Sequence, residues 1–390
     1  MSWKKVRLDS ICTMLSGNAW SASKFKDSGK IPIIRIQNLG NNENEKFIWW
    51  DDKYDNKFVI HAGDLLLSLS GSIKIDTWKG EDALLNQRIV KLIPNNGVDH
   101  RWFYWQINNI ILEIEKMGKW ALVNNVSVTD LKEIQIPLPP LPTQKRIAEI
   151  LDAADALRRK DQELLRKYDE LAQAIFIDMF GDPVKNEKGW KVKEFGDYIN
   201  YIGDIGSNGS NEVVAKNLNM LDSEDFAIMI RTTNLAKNDF TSNVKYVSEK
   251  TYNFFKKSKI YGGEIIMNKI GSAGDFWIMP KLNKPVSLGL NQLVIRLKDL
   301  NTKFIYYYLS TDYGKSIIKS SLNGAVTKSI TKSAVKALPI LYPEIKLQEK
   351  FELLLSNIEV EKEKLNNSVI NSNLLFDSLL QQAFKGELVK

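Results

Sequence analysis

At residues 136–147 the chain reads IPLPPLPTQKRI, a proline-rich run that leads into a long helical pattern. Proline lacks a backbone donor and clashes with the preceding turn, so residues 137–142 cannot lie inside a helix. Apolar residues then recur at alternating three- and four-residue steps. This spacing predicts one helix from about Gln144 to Phe180, ended by Gly181-Asp182-Pro183.

A second helical pattern of the same period occupies the C-terminal segment, shifted by 204 residues. Two seams of this kind over about five heptads indicate a coiled coil, in which the two helices pair with each other. The alternative is that each helix packs on a globular domain of its own. The first seam is predicted at Ile147, Ile150, Ala154, Leu157, Leu164, Tyr168, Leu171 and Ile175, and the second at Phe351, Leu354, Ile358, Leu365, Leu375 and Leu379.

The helices belong to a larger internal repeat, because similar short sequences occur in both halves of the chain about 200 residues apart. Seven short matches occur in the same order, with offsets that drift only from 187 to 205. Seven matches in register predict a duplicated module. Among them, Ile34-Arg35 is echoed by Ile230-Arg231, Leu85-Asn86-Gln87 by Leu290-Asn291-Gln292, and Gln144 by Gln348.

Each copy opens with short β-rich runs separated by turn signals, as at residues 31–36, 64–69, 88–93 and 263–267. The predicted fold class is α+β, with two similar globular domains separated by two long antiparallel coiled-coil helices in an internal pseudo-twofold repeat. The predicted boundaries are 1–142 for the first domain, 143–184 for the central helix, 185–344 for the second domain and 345–390 for the C-terminal helix.

Composition narrows the class of protein. A chain of 390 residues, 44% hydrophobic and 26% charged, suits two or three globular domains. It has no apolar run long enough for a membrane span, and its N-terminus lacks the apolar stretch of a signal peptide, so we expect a cytoplasmic protein with no membrane partner. Residues 185–344 hold 23 basic against 15 acidic residues, whereas residues 1–142 hold 18 against 16. Basic blocks suit a polyanionic partner, although a lysine-rich solvated surface is equally compatible with the charge alone.

The sequence offers no catalytic constellation. Its single cysteine, Cys12, and its two histidines, His61 and His100, leave little for a metal centre or for histidine-dependent catalysis. The chain has neither a Gly-x-Gly-x-x-Gly cradle nor the Asn-Pro-Pro element of an adenine methyltransferase. We therefore expect no catalysis, no metal and no cofactor on this chain, and a stand-alone nuclease is the weakest alternative.

The polar loops are better candidates for reading DNA. Arginine and lysine suit guanine edges in the major groove, and asparagine and glutamine suit adenine edges. For any single residue a solvated loop or a turn cap is the simpler interpretation, but clusters at corresponding positions of both copies favour a shared binding role. The candidates in the first copy are Lys24, Lys26, Arg35, Gln37, Asn38, Ser70, Ser72, Lys74, Asn86, Gln87 and Arg88. Those in the second copy are Asn208, Arg231, Thr233, Asn234, Asn268, Lys269, Ser272, Asn291, Gln292 and Lys328.

The chain resembles the specificity subunits of type I restriction–modification enzymes over essentially all of its length. The resemblance is carried by residues 136–147, by Ala174-Ile175-Phe176 to Phe180-Gly181-Asp182, and by the tail Leu379-Leu380-Gln381-Gln382-Ala383-Phe384-Lys385-Gly386. It implies two target-recognition domains that each read one half of an interrupted double-stranded DNA site, and two long helices that dock methyltransferase subunits. Those partners would bind S-adenosylmethionine and methylate adenine, and a motor–nuclease restriction subunit would join for cleavage.

One feature departs from the family pattern: Leu341-Tyr342-Pro343-Glu344 replaces the proline-rich run in the second copy, so the second junction is expected to be looser. The helix from Gln144 to Phe180 would span roughly 55 Å at 1.5 Å per residue. That length suits two domains on successive major-groove faces, about 34–36 Å apart. Two alternatives stay open: a specificity module detached from a fused restriction–methylation enzyme, and a coiled-coil scaffold without nucleic-acid function.

Overall fold

The computed structural model of the chain describes residues 3–40, 46–111, 114–115 and 126–389. It divides into two compact units: unit 1 consists of Met1–Glu163 with Asn366–Lys390, and unit 2 consists of Leu164–Leu365. Each unit therefore contains one globular domain and one half of each long helix. The division cuts across both helices, because each half packs into the core of a domain.

The described residues of the domain in unit 1 form three sheets. A two-stranded sheet pairs β1 with β10, and two four-stranded sheets have the orders β2-β9-β6-β7 and β4-β3-β8-β5. Strands β3 and β8 are parallel, and the other pairs are antiparallel. The strands are β1 (Lys5–Arg7), β2 (Cys12–Ser16), β3 (Ile31–Ile34), β4 (Ile48–Trp50), β5 (Val59–Ile60), β6 (Leu65–Ser68), β7 (Ile75–Thr77), β8 (Ala83–Leu85), β9 (Ile89–Pro94) and β10 (Gln135–Pro137). The helices of this domain are α1 (His100–Asn109) and α2 (Val128–Glu133), and the central helix is α3 (Leu141–Phe180).

Unit 2 repeats this topology sheet for sheet, with the orders β11-β20, β12-β19-β16-β17 and β14-β13-β18-β15, and again with one parallel pair, β13 and β18. The predicted duplication and the α+β fold class are therefore confirmed. The strands are β11 (Lys191–Glu194), β12 (Ile199–Gly203), β13 (Ala227–Met229), β14 (Lys245–Val247), β15 (Lys259–Ile260), β16 (Ile265–Asn268), β17 (Phe276–Ile278), β18 (Val286–Ser287), β19 (Gln292–Leu297) and β20 (Pro339–Tyr342). The helices are α4 (Asn211–Asn217), α5 (Thr232–Lys237), α6 (Glu249–Phe254), α7 (Thr302–Ser310), α8 (Asp312–Ser320), α9 (Lys332–Lys336) and the C-terminal helix α10 (Ile345–Lys385).

The two long helices run antiparallel within each unit, since residue numbers rise along one helix as they fall along the other. In unit 1, the Ser368 hydroxyl donates to the Asp161 carboxylate at 3.0 Å. In unit 2, Lys362 pairs with Asp169, and the rings of Phe176 and Phe351 lie 5.6 Å apart. The helices also pack on the domains. Pairing of the helices and packing on a domain therefore both occur, although they were considered as alternatives.

The buried seam of the helices differs from the predicted one at every second step. The prediction is correct at Ile147 and Ala154, for example, but Leu157, Leu164, Leu171, Leu354 and Leu375 are wrong, because their side chains are 38–49% exposed. The seam instead runs one residue later at each of these steps, through Arg158, Leu165, Ala172, Leu355 and Phe376. Its positions are Gln144, Ile147, Leu151, Ala154, Arg158, Asp161, Leu165, Tyr168, Ala172, Ile175 and Met179 in α3, and the eleven positions 204 residues later, from Gln348 to Ala383, in α10.

The second junction is not looser than the first, contrary to the expectation from Leu341-Tyr342-Pro343-Glu344. The amide group of Gln144 donates to the carbonyl oxygen of Pro139 at 2.8 Å. That of Gln348 donates to the carbonyl oxygen of Pro343 at 2.8 Å. One proline at the right position is enough to keep this geometry.

Candidate nucleic-acid interface

Most of the candidate residues of unit 1 meet at one end of its domain. Because β3 and β8 are adjacent and parallel, Arg35 beyond β3 and Asn86 beyond β8 lie at the same sheet end. The β6–β7 hairpin tip and the start of β9 also reach this end, since Ser68 pairs with Ile89. We call this surface reading end 1; it carries Arg35, Gln37, Asn38, Ser70, Ser72, Lys74, Asn86, Gln87 and Arg88.

The loops of reading end 1 are packed closely against one another. A Cβ atom at Gly17 would lie 2.1 Å from the carbonyl oxygen of Asn86, so only glycine permits this approach. The Arg88 guanidinium donates to the Ser70 hydroxyl at 3.2 Å and thereby joins the start of β9 to the hairpin tip. The surface is therefore organised before any ligand arrives.

The structure does not bring Lys24 and Lys26 to reading end 1. Lys26 pairs with Asp51 at 2.6 Å, and Lys24 pairs with Asp52 at 2.6 Å. These aspartates follow β4, whose residue Trp50 lies opposite the first residue of β3. The two lysines are thus at the start of β3, whereas Arg35 lies beyond its end.

Unit 2 gathers its candidates in the same way. Arg231 lies beyond β13, beside the end of the parallel strand β18, and Asn268 pairs with Gln292 at the hairpin tip between β16 and β17. Residues 323–330 join this surface through a hydrogen bond from the Ile330 N–H to the Lys269 carbonyl oxygen at 2.9 Å. We call it reading end 2; it carries Asn208, Arg231, Thr233, Asn234, Asn268, Lys269, Ser272, Asn291, Gln292 and Lys328.

One local geometry recurs at both reading ends. The Arg35 N–H donates to Asn38 Oδ1 at 3.0 Å, and the Arg231 N–H donates to Asn234 Oδ1 at 3.1 Å. Both guanidinium groups donate to backbone carbonyl oxygens, those of Lys46 and Asn243. The two asparagines are buried, so they hold the shape of these loops.

The candidate residues at the reading ends differ in burial, and several of the less exposed ones hydrogen-bond within the protein. Asn268 accepts a hydrogen bond from the Thr232 hydroxyl at 2.8 Å, and Gln292 accepts one from the Gly289 N–H at 3.1 Å. Asn208 is half-buried and donates to the Ser258 hydroxyl at 2.8 Å. The buried candidates are Asn38, Ser70, Asn234, Asn268 and Gln292. The exposed ones at the reading ends are Gln37, Ser72, Lys74, Gln87, Arg88, Thr233, Ser272, Asn291 and Lys328.

Backbone hydrogen bonds revise one match of the repeat. The Leu69 N–H donates to the Arg88 carbonyl oxygen at 2.9 Å, and the Lys269 N–H donates to the Asn291 carbonyl oxygen at 2.7 Å. Arg88 and Asn291 are therefore structural equivalents, although the sequence match pairs Asn291 with Asn86. The sequence match is therefore displaced by two residues from the structural one.

Sequence reasoning missed a buried carboxylate at reading end 2. Asp204 accepts hydrogen bonds from Lys269 Nζ at 2.8 Å and from Lys332 Nζ at 2.7 Å. Burial would raise the pKa of Asp204, but the hydrogen bonds from Lys269, Lys332 and Ser207 outweigh it and hold the pKa well below its usual range. Asp204 and Lys332 are separated by 127 intervening residues, and no sequence pattern links them.

Among the described residues, no group of three or more His, Cys, Asp or Glu side chains is placed to hold a metal ion. Within the same residues, no helix is both long enough and apolar enough to cross a membrane.

Two copies of one α+β domain, each with polar and basic loops at one end and each packed on paired antiparallel helices, define the class of duplicated DNA-recognition subunits. More particularly, the chain belongs to the type I restriction modification DNA specificity domain family, whose model matches residues 1–166 and 187–372.

Known type I specificity subunits are similar to this chain over almost its whole length. The type I restriction enzyme EcoBI specificity subunit of Escherichia coli is 23% identical, with 99% of this chain and 86% of the relative covered. The EcoKI specificity subunit of Escherichia coli K12 is 21% identical, with coverage of 99% and 89%. The solved structure of the type I restriction–modification system S subunit from M. genitalium has a TM-score of 0.57 at 16% identity, with coverage of 98% and 96%, and it supports the fold.

Proposed function

We propose that this chain reads a bipartite, interrupted DNA site and directs partner adenine methyltransferase and restriction subunits to it. The observation that carries the proposal is the gathering of equivalent polar loops at one end of each duplicated domain. A duplicated reading surface suits a site of two half-sequences with an unread spacer. The chain is a recognition subunit rather than an enzyme, and its alternatives as a detached module or a scaffold are not favoured.

The exposed residues of each reading end are the proposed DNA contacts. Arg88, Lys74 and Lys328 suit guanine edges or phosphates, and Gln87 and Asn291 suit adenine edges. The buried residues, such as Asn38 and Asn234, hold the loops that present them. Because lysine and arginine contacts with phosphate release counterions, binding should weaken steeply as the salt concentration rises.

Exposed apolar side chains on the long helices supply a docking surface for the methyltransferase partner. Leu164, Leu171 and Leu353 of unit 2 are 41%, 46% and 68% exposed. In unit 1, Leu157 and Leu374 are 48% and 63% exposed. Leu164 and Leu171 are one heptad apart and therefore lie on one face of the helix, and a row of exposed apolar side chains suits a protein contact. Each unit has its own set, which suits one methyltransferase subunit per unit.

The chemistry resides on the partners in this proposal. The methyltransferase subunits bind S-adenosylmethionine and transfer its methyl group to adenine, and a restriction subunit joins them for cleavage. The complex acts in the cytoplasm. This chain determines which DNA site the complex acts on.

A gel-shift experiment tests the proposal with the full chain and its methyltransferase partner. Duplexes that carry both half-sites should be bound more tightly than duplexes in which either half is scrambled. Equal binding of all duplexes would favour a scaffold without DNA specificity. Cutting of DNA by the pure chain with a divalent metal ion would identify a nuclease instead.

A further inference from the structure

Reading end 2 contains a charge cluster whose residues come from two loops and from the first turn of α9. Asp204 is 7% exposed and pairs with Lys269 and Lys332 at 2.8 and 2.7 Å. Lys332 Nζ also donates to the Ser207 hydroxyl at 2.6 Å. Two lysines against one aspartate leave the cluster with one net positive charge at the surface that holds the candidate DNA contacts.

The equivalent positions of reading end 1 carry no charge. Leu69 is the structural equivalent of Lys269. The N–H of each donates to the carbonyl oxygen of the residue before the next strand, Arg88 before β9 and Asn291 before β19. The carbonyl oxygen of each accepts from a residue ahead of the next helix, Val126 or Ile330. Val128 takes the place of Lys332, directly after the helix caps Ser127 and Thr331. By strand register, Ser16 takes the place of Asp204. The cluster is therefore specific to unit 2, whose domain also holds most of the excess basic charge of the sequence.

The geometry leaves both ammonium groups able to bind a further anion. An ammonium has three donors; Asp204 uses one from each lysine and Ser207 uses a second one from Lys332, so Lys269 keeps two and Lys332 keeps one. The side chains of Lys269 and Lys332 remain 27% and 35% exposed. A lysine that is already held in place loses less conformational entropy when it binds a ligand than a free lysine does.

We propose that Lys269 and Lys332 form a binding site for one backbone phosphate of DNA, and that Asp204 is the positioning residue that holds their ammonium groups ready for it. This inference rests on the proposed function and adds an asymmetry to it. Unit 2 anchors the DNA electrostatically, whereas unit 1 depends more on its contacts with bases.

The test measures binding of a bipartite duplex by the full chain with its methyltransferase partner, at salt concentrations from about 50 to 200 mM. Lys269→Gln and Lys332→Gln should each weaken binding and lower the slope of log affinity against log salt. Because the two lysines share one phosphate, the double variant should lower it by about 1 and each single variant by part of that. Lys284→Gln is the matched control, because Lys284 pairs with Glu224 at 2.6 Å ahead of β18, away from reading end 2. It should leave the slope unchanged.

Asp204→Asn separates positioning from simple charge. The substitution removes a negative charge, so charge alone would tighten DNA binding, whereas loss of positioning should weaken it several-fold. Glu224→Gln, which also removes a carboxylate from an ion pair with lysine, is its control. Tighter binding by Asp204→Asn would overturn the positioning role. If that variant does not fold, the two lysine variants still decide whether the phosphate site exists.

The possible failures are distinguishable. If the unaltered complex shows no preference for the bipartite duplex, the proposed function falls together with the phosphate site. If it binds that duplex in a salt-dependent way and the slopes of both lysine variants equal that of Lys284→Gln, the phosphate site alone is overturned.

Discussion

Gln144 and Gln348 make the same pair of hydrogen bonds at positions 204 residues apart. Gln144 Oε1 accepts from the Asp99 N–H at 2.8 Å, and Gln348 Oε1 accepts from the Asn301 N–H at 2.9 Å. Asp99 and Asn301 are the residues that cap α1 and α7. Each glutamine therefore ties the first turn of a long helix to the cap of a domain helix, while its amide group holds the proline-containing lead-in.

Loss of this tie should destabilise the unit that contains it. In Gln348→Ala, the half-buried N–H of Asn301 and the buried carbonyl oxygen of Pro343 lose their partner, which costs about 1–3 kcal/mol. Thermal and urea unfolding of the variant measure the change in the free energy of unfolding. Gln382→Ala is the control, because Gln382 is exposed on the same helix and its amide group donates to the Ser378 hydroxyl. Equal stability of the two variants would contradict a structural role for Gln348.

The two reading ends should be separable by mutation. Arg88→Ala should alter base preference in one half-site only, and Asn291→Ala in the other, each by about 1–3 kcal/mol for the affected base pair. The same separation should hold for Arg35 and Asn86 against Arg231. Competition binding with duplexes altered one base pair at a time measures it. A variant that changes both half-sites would count against two independent readers.

The exposed leucines of unit 2 should matter for assembly rather than for folding. Leu164→Gln combined with Leu171→Gln should reduce the number of methyltransferase subunits that co-purify with the chain, with little change in its unfolding temperature. Native mass spectrometry of the complex gives the stoichiometry. Gln173→Ala, at an exposed polar residue of the same helix, should leave assembly intact. Full assembly of the double variant would place the docking surface elsewhere.

The length of the paired helices should determine the unread spacer. Insertion of one heptad after Glu163 and one after Leu365 keeps the buried seam in phase, because the seam repeats every seven residues in both helices. It lengthens each helix by about 10 Å. The methylated motif should gain about three base pairs of spacer with unchanged half-sites. An unaltered spacer would argue against the helices as a ruler.

The features that sequence reasoning predicted are those with a short-range or repeated signal. The glycine after Phe180 marks the end of α3 as predicted, whereas α3 begins at Leu141 and not near Gln144. Pro142 lies in its first turn, where a missing N–H has no partner within the helix to lose. The duplication is visible as matching letters. The seam was misplaced because Leu157, Leu164 and Leu171 have the correct period but lie on the exposed face. The residues that follow them, Arg158, Leu165 and Ala172, take their place in the buried seam.

The site was predictable as a set of loops but not residue by residue. Asn38 and Asn234 have the side chains of DNA contacts, yet they hold their own loops, and only the fold shows this. Lys24 and Lys26 lie near Arg35 in sequence but at the other end of β3. Asp204 comes together with its two lysines only through long-range packing.

Sequencing of modified bases in single DNA molecules, from cells with and without this gene, tests the central claim most directly. The account predicts an adenine-methylated motif of two short half-sequences with a fixed gap, present with the gene and lost without it. The same motif in both strains, or a gene-dependent motif that is continuous, would contradict it.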